Sequence, residues 1–272
     1  MQEHSRVRRL AVIAAASLTA VLAAPAAHAL NLYDDFTSTS ISPHWDGNER
    51  AQFGATLAES RRAIQSGALR IEVKGWSDRF SNTGTGRVRN EVIFENSALI
   101  TEMKATVTPR TIIPGTCAGN ASVGNSRARL IGSFFNIGTV KPGSEYNDVL
   151  ASIQVYRLSS STDASGVLRV LGAVYLCTDS ECINTSTVGS VDLGTTTVNT
   201  PVDLHVTWDK ANKQFAFQKG TDAAQNVVYT FTGSQAPEYG AKRLEAAGDI
   251  PNCSASRAST ATFVDFDNVY TN

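Results

Sequence analysis

S-T-A-T-F-V-D-F-D-N-V-Y-T-N, residues Ser259–Asn272, closes the sequence. Thr262, Val264 and Phe266 fall on one phase of a two-residue alternation, which then slips to Val269. That is the pattern of a β-strand with a bulge near Asp267-Asn268. A strand must find partners for its backbone N–H and C=O groups. The natural counterpart is Leu30–Phe36, L-N-L-Y-D-D-F, which also interleaves aromatic and aliphatic residues with Asp and carries no helix signal. The two segments are expected to pair and to close one β-sandwich.

Between them, alternating runs of β-branched and aromatic residues recur, and no long stretch has a helical period. Val92 and Phe94 alternate with Glu91, Ile93 and Glu95. Leu99, Thr101, Met103, Ala105 and Val107 alternate with Ile100, Glu102, Lys104 and Thr106, the first set being expected inward. Val149, Ala151, Ile153 and Val155 alternate with Leu150, Ser152, Gln154 and Tyr156, and Leu204, Val206 and Trp208 with Asp203, His205 and Thr207. Arg127–Ile137 is apolar on both faces at its centre, as a strand covered on both sides should be. A short helix is expected only around Lys242–Ala247. Roughly a dozen strands point to an all-β fold, two packed antiparallel sheets of jelly-roll kind.

Residues Met1–Ala29 read as an export signal: Arg6, Arg8 and Arg9, then the apolar Leu10–Ala24, then Ala27-His28-Ala29 as a small-x-small cleavage site. The apolar run falls short of the roughly 20 residues that span a bilayer. The remainder, 30–272, is expected to be one exported domain, periplasmic or secreted, with no membrane insertion after cleavage, because β-sandwiches commonly reach ~200–250 residues as a single unit. It is expected to be a monomer. With 24 Lys and Arg against 25 Asp and Glu, the chain lacks the basic excess of a nucleic-acid binder. Four cysteines in an oxidising compartment read as two disulfides. Cys177 and Cys182 flank the turn T-D-S-E, which leaves Cys117 to join Cys253 across two distant loops. The spacings do not suit zinc.

Three features carry a resemblance: L-Y-D-D-F-T-S-T-S-I-S-P-H-W at Leu32–Trp45, the adjacent long strands in mid-chain, and F-V-D-F-D-N-V-Y at Phe263–Tyr270. On these the chain resembles a concanavalin A-like lectin/glucanase (laminin-G-like) jelly roll. The resemblance implies a structural calcium held where the first and last strands meet, with Asp267 or Asp265 and Asp34 or Asp35 as ligands; calcium favours several hard oxygen donors. The same four Asp read equally as caps on strand ends. The glucanase branch of that superfamily needs a strand close to E-x-D-x-x-E, and none occurs. In Glu91-Val-Ile-Phe-Glu95 the carboxylates lie roughly 13 Å apart along a strand, against about 5–5.5 Å in a retaining glycosidase.

A weaker resemblance is to jelly-roll alginate-lyase-like enzymes, which use R-x-E on one strand and Q-[IV]-H on another. Arg89-Asn90-Glu91 matches the first; Gln154-Val155-Tyr156 departs from the second at its His. The resemblance implies Arg89 and Gln154 neutralising a uronate carboxylate and Tyr156 as acid or base beside Glu91. The plain alternative is an Arg89–Glu91 ion pair on one strand face. Trp76, in the polar segment Gly75-Trp76-Ser77-Asp78, is a candidate sugar-stacking platform. Arg127 and Arg129 share a strand face; they read equally as a site for an acidic ligand and as the solvated end of a strand. The expected function is binding of an extracellular ligand, a glycan, on a concave sheet face lined by Trp76, Arg89, Glu91, Arg127, Gln154 and Tyr156. A polysaccharide lyase acting by β-elimination and a structural or adhesive surface protein are the alternatives.

Overall fold

The structure, a computed structural model, describes residues 29–46, 50–53, 57–233 and 235–272. The export signal, residues 1–29, lies outside them but for Ala29. In chain order the strands are β1 (Asn31–Asp34), β2 (Trp45–Asp46), β3 (Arg50–Phe53), β4 (Leu57–Gln65), β5 (Ala68–Trp76) and β6 (Thr85–Phe94). β7 (Glu102–Ile113), β8 (Asn125–Asn136), β9 (Asp148–Leu158), β10 (Val167–Cys177) and β11 (Thr185–Thr197) follow. The chain ends with β12 (Val202–Asp209), β13 (Gln214–Lys219), β14 (Gln225–Val228), β15 (Lys242–Pro251) and β16 (Ser259–Thr271).

They form two eight-stranded antiparallel sheets packed as a sandwich. Sheet I runs β14-β13-β12-β7-β16-β5-β4, with β1 also on β16; sheet II runs β11-β10-β9-β8-β15-β6-β2, with β3 also on β6. The first and last strands pair, Asn31 opposite Thr271 and Leu32 opposite Tyr270. The β16 register slips between Asp267 and Tyr270, where Asn268 takes φ 46°, a left-handed conformation that Asn tolerates.

Alternation decides which residues face the core. From sheet I, Val264 and Phe266 of β16, Met103 and Val107 of β7 and Ile71 of β5 point inward; from sheet II come Val92 and Phe94, Leu130, Ile153 and Leu244, all buried. The sheets touch so closely that a Cβ on Gly172 of β10 would lie 2.3 Å from the Phe217 ring of β13. Polar bridges tie the layers together. Asn90 donates to the carbonyls of Arg61 and Glu72, each at 2.9 Å. The Thr262 hydroxyl donates to Ala247 O at 2.9 Å and lies 2.7 Å from that of Ser126. Buried groups without such partners would cost roughly 1–3 kcal/mol each.

Two local expectations are corrected. Lys242–Ala247 is not helical; it opens β15, between β8 and β6 in sheet II. K-R-L-E-A-A is made of good helix formers, but Leu244, Ala246 and Ile250 line the core while Arg243, Glu245 and Asp249 take the other face, and that burial overrides propensity. Leu99 is exposed in the 3-10 turn Ser97–Leu99 while Ile100 is buried, so the inward phase begins only at Met103. Both disulfides join the expected pairs, Cys117–Cys253 and Cys177–Cys182.

Candidate binding cleft on the outer face of sheet II

On a strand, residues two apart share a face, and antiparallel register lines them up across neighbours. On the outer face of sheet II this produces rows of side chains. One row runs Glu91 (β6), Glu245 (β15), Arg129 (β8), Gln154 (β9). The next runs Arg89, Ala247, Arg127, Tyr156 and, on β10, Arg169. Arg87 and Asp249 lie opposite each other beyond them.

The carboxylates lie beneath the guanidinium groups. Arg129 Nε donates to Glu245 at 2.6 Å. Asp249 accepts from Arg87 Nε at 2.7 Å and from Arg127. Glu91 lies 3.4 Å from Arg243 Nε and 3.6 Å from Arg89 Nε. Glu91 and Glu245 side chains are 0% exposed, whereas Arg87 keeps 34% and Arg89 21%. Burial alone would raise the Glu245 carboxyl, but Arg129, Arg243 and Arg127 override it and hold it well below the usual range. Burial pushes Glu91 up to about 7 against the pull of Arg243 and Arg89, with the Glu245 charge adding to the rise. Of two facing carboxyls one stays ionised and the other holds its proton, as like charges in a low-dielectric site require.

Above this floor lie two adjoining depressions. One, about 470 Å³, lies between Arg89, Ile93 and Arg243 and a rim carrying Glu145, Glu181 and Tyr239. The other, about 200 Å³, spreads over Arg87, Arg127, Arg129, Gln154 and Tyr175. Arg89, Arg243, Glu145 and Glu181 border both, so the two make one cleft. The Cys177–Cys182 loop forms a wall. Asp179 accepts from the N–H groups of Glu181, Ile183 and Asn184, and Glu145 N donates to Ser180 O at 2.8 Å, joining the two rim loops. Under the wall, Ile131, Leu150 and Cys177 form a small apolar cluster, which covers β8 on its second side.

Of the six residues expected to line a single face, Arg89, Glu91, Arg127, Gln154 and Tyr156 share this one. Trp76 does not. It ends β5 on the outer face of sheet I, opposite Ser259 and Leu57, because Gly75-Trp76 continues a strand rather than forming a loop. The Arg89, Glu91, Gln154, Tyr156 quartet does not gather around one sugar ring. β6 and β9 are three strand spacings apart, ~14 Å; Glu91 is closed off, and Tyr156 borders a separate depression with Arg169 and Asp163. Arg243, Glu245 and Asp249 were hidden by the helical look of their segment; the two-residue alternation from Arg243 to Asp249 was the available signal.

The calcium ligands do not assemble either. Asp265 is held by Arg70 through two bonds of 2.6 and 2.9 Å and by Arg110 at 2.7 Å. Asp34 accepts from Phe36 N at 2.8 Å and from the Trp45 indole at 2.9 Å, and Asp35 caps Thr37. Burial raises Asp267, with Asp35 adding repulsion. Among the described residues no group of three or more His, Cys, Asp or Glu is placed to hold a metal. Asp265 and Asp34 are thus engaged by the protein's own donors, while Asp35 and Asp267 stand close enough for their charges to interact.

No family model matches the chain, and no curated protein matches it in sequence. Similar solved structures include a laminarinase from Flavobacterium sp. UMI-01, at 11% identity and a TM-score of 0.42, covering 87% of this chain and 100% of the other. Another is the carbohydrate recognition domain of Emp46p in its potassium-bound form, at 9% identity and TM-score 0.35, covering 78% and 88%. A third is Rv0315, an immunostimulatory antigen and pseudo beta-1,3-glucanase of Mycobacterium tuberculosis, at 10% identity and TM-score 0.38, covering 89% and 99%. These are distant likenesses, and the chemistry of the cleft is read from its own side chains.

Proposed function

We propose that the protein is an exported carbohydrate-binding module that holds a glycan in the cleft of sheet II. The observation that carries this reading is the make-up of the cleft. Planar hydrogen-bonding groups, the guanidiniums of Arg87, Arg89 and Arg129 and the amide of Gln154, line a floor that also carries Tyr175, with Tyr239 on the rim. Fixed planar donors suit vicinal hydroxyls, and an aromatic ring with a polar tip suits the apolar face of a sugar. Two disulfides fit work outside the cytoplasm, and among the described residues no helix is long and apolar enough to cross a membrane.

Titration calorimetry against a panel of soluble polysaccharides tests this. At least one glycan should bind, and Gln154→Ala and Tyr239→Ala should each weaken it about tenfold while leaving the thermal midpoint in place. Binding to no glycan, or variants that bind as the parent does, would overturn the proposal. Ultraviolet absorbance of the same mixtures tests for elimination. No absorbance growth is expected, because Glu91 is closed off from the cleft.

A further inference from the structure

Resting on that reading, we infer that the glycan is acidic, with its carboxylate or sulfate groups seated along the arginines of the cleft floor. Every cation lining the two depressions is arginine; among the described residues no lysine borders them. Arginine presents a rigid fork of N–H donors that matches a planar or multi-oxygen anion, where lysine presents a point charge. In a chain whose formal net charge is −1, five arginines (Arg87, Arg89, Arg127, Arg129 and Arg243) stand over only three floor carboxylates: Glu91, Glu245 and Asp249.

Layering strengthens the excess. Two of those carboxylates are fully covered and the third is 18% exposed, so at the floor an arriving ligand meets mostly donors, the accessible carboxylates being those of Glu145 and Glu181 on the rim. The donor set is also incomplete. Arg127, with its side chain 5% exposed, borders the cleft, and among the described residues its Nε–H has no hydrogen-bond partner. The donor is buried and the residue that carries it borders the cleft, so an acceptor entering there would complete its bonding. Glu91, set between Arg89, Arg243 and Glu245, holds its proton below about pH 7, which leaves the floor one charge more positive there. Glu145 and Glu181 stand on the rim beside Arg89 and Arg243. The end of the cleft where two arginines share one carboxylate, Arg87 and Arg127 on Asp249, is therefore the one with an excess of cation, and the anion is placed there.

The test measures affinity at about 0.15 M salt for polygalacturonate, dextran sulfate, dextran and laminarin. The acidic polymers should bind at least tenfold tighter than the neutral ones. Arg87→Gln, which leaves Asp249 its Arg127 partner and so keeps the fold, should remove most of that preference. Lys104→Gln, on the outer face of sheet I, should leave it unchanged. Preference for polygalacturonate, for dextran sulfate or for both supports the inference and says which anion the arginines take. Equal binding of dextran or laminarin would overturn the acidic ligand while leaving the glycan reading intact. An equal loss in Lys104→Gln would reduce the preference to general charge attraction and overturn it too. Binding to none of the four would remove the glycan reading itself.

Discussion

The outer faces of the two sheets start from the same rule and end differently. Both place charged residues at every second position of long antiparallel strands. On sheet I the Lys104–Asp203 pair stays open to water, at 3.1 Å with side chains 33% and 37% exposed, while His205 lies 2.7 Å from a Glu102 whose side chain keeps only 11%. Asp265, between Arg70 and Arg110, and Glu102 are nearly covered there. On sheet II, Glu91 and Glu245 are wholly covered by guanidinium groups and by the rim around Glu145 and the Cys177–Cys182 loop. Exposed pairs contribute roughly 0–1 kcal/mol. Covered ones are costly to break, because the surviving charge is left in a poorly solvating site. What lies over a charged residue, more than its place in the alternation, sets what it is worth.

The largest consequence concerns Arg129. Arg129→Met removes the 2.6 Å partner of Glu245 and should destabilise the protein by about 3–5 kcal/mol, measured by urea unfolding at pH 7. Adding Glu245→Leu removes the stranded charge and should recover much of the loss. A double variant no better than the single one would mean that packing of the arginine stem, not charge burial, sets the cost.

Glu91 sharpens the comparison through pH. Its carboxyl is raised from 4.5 to about 7 in the folded protein, so between those values the native state binds more protons than the unfolded chain. The resulting stabilisation is fully present below about pH 4.5 and is lost as pH rises through about 7, on the order of 3 kcal/mol in all. Asp148, raised to about 6 by burial, slopes the same way. Unfolding free energy followed from pH 4.5 to 7.5 should fall in the parent and fall less in Glu91→Gln. Identical profiles would show that Glu91 is ionised throughout.

The same contrast marks how far the sequence was legible. The β-sandwich, the pairing of its termini and both disulfides followed from local pattern, since alternation and cysteine position survive whatever surrounds them. The cover over Glu91 did not. It depends on Glu245, far along the chain, arriving opposite it in a strand whose K-R-L-E-A-A composition favours helix. Asp265 likewise looked available to calcium until Arg70 and Arg110 were brought to it by strands β5 and β7. Trp76 misled for the opposite reason: polar neighbours suggested a loop, while cross-strand pairing with β16 made it a strand end. Local signals fixed phase, and long-range register fixed which charged groups met and which were covered.

The wall of the cleft supplies a smaller effect. Cys177 and Cys182 close a loop with a sequence separation of 5, for which chain entropy gives about 2 kcal/mol. Replacing both with Ser should cost about that in urea unfolding, while affinity for an acidic glycan should drop more than Tm does, since the loop positions Glu181 and Ile183 at the rim. An unchanged affinity would detach the wall from binding.

The smallest effect is the one that tests the comparison most directly. Lys104→Met on sheet I also deletes an ion pair and also keeps an unbranched stem on a strand. Asp203, however, retains the Thr106 hydroxyl at 2.7 Å and open access to water, so its charge is not stranded. The expected cost is about 0–1 kcal/mol, several-fold below that of Arg129→Met by the same urea measurement. If the two substitutions cost the same, solvent cover is not what separates the faces. The arginines of sheet II would then be ordinary surface partners of their carboxylates.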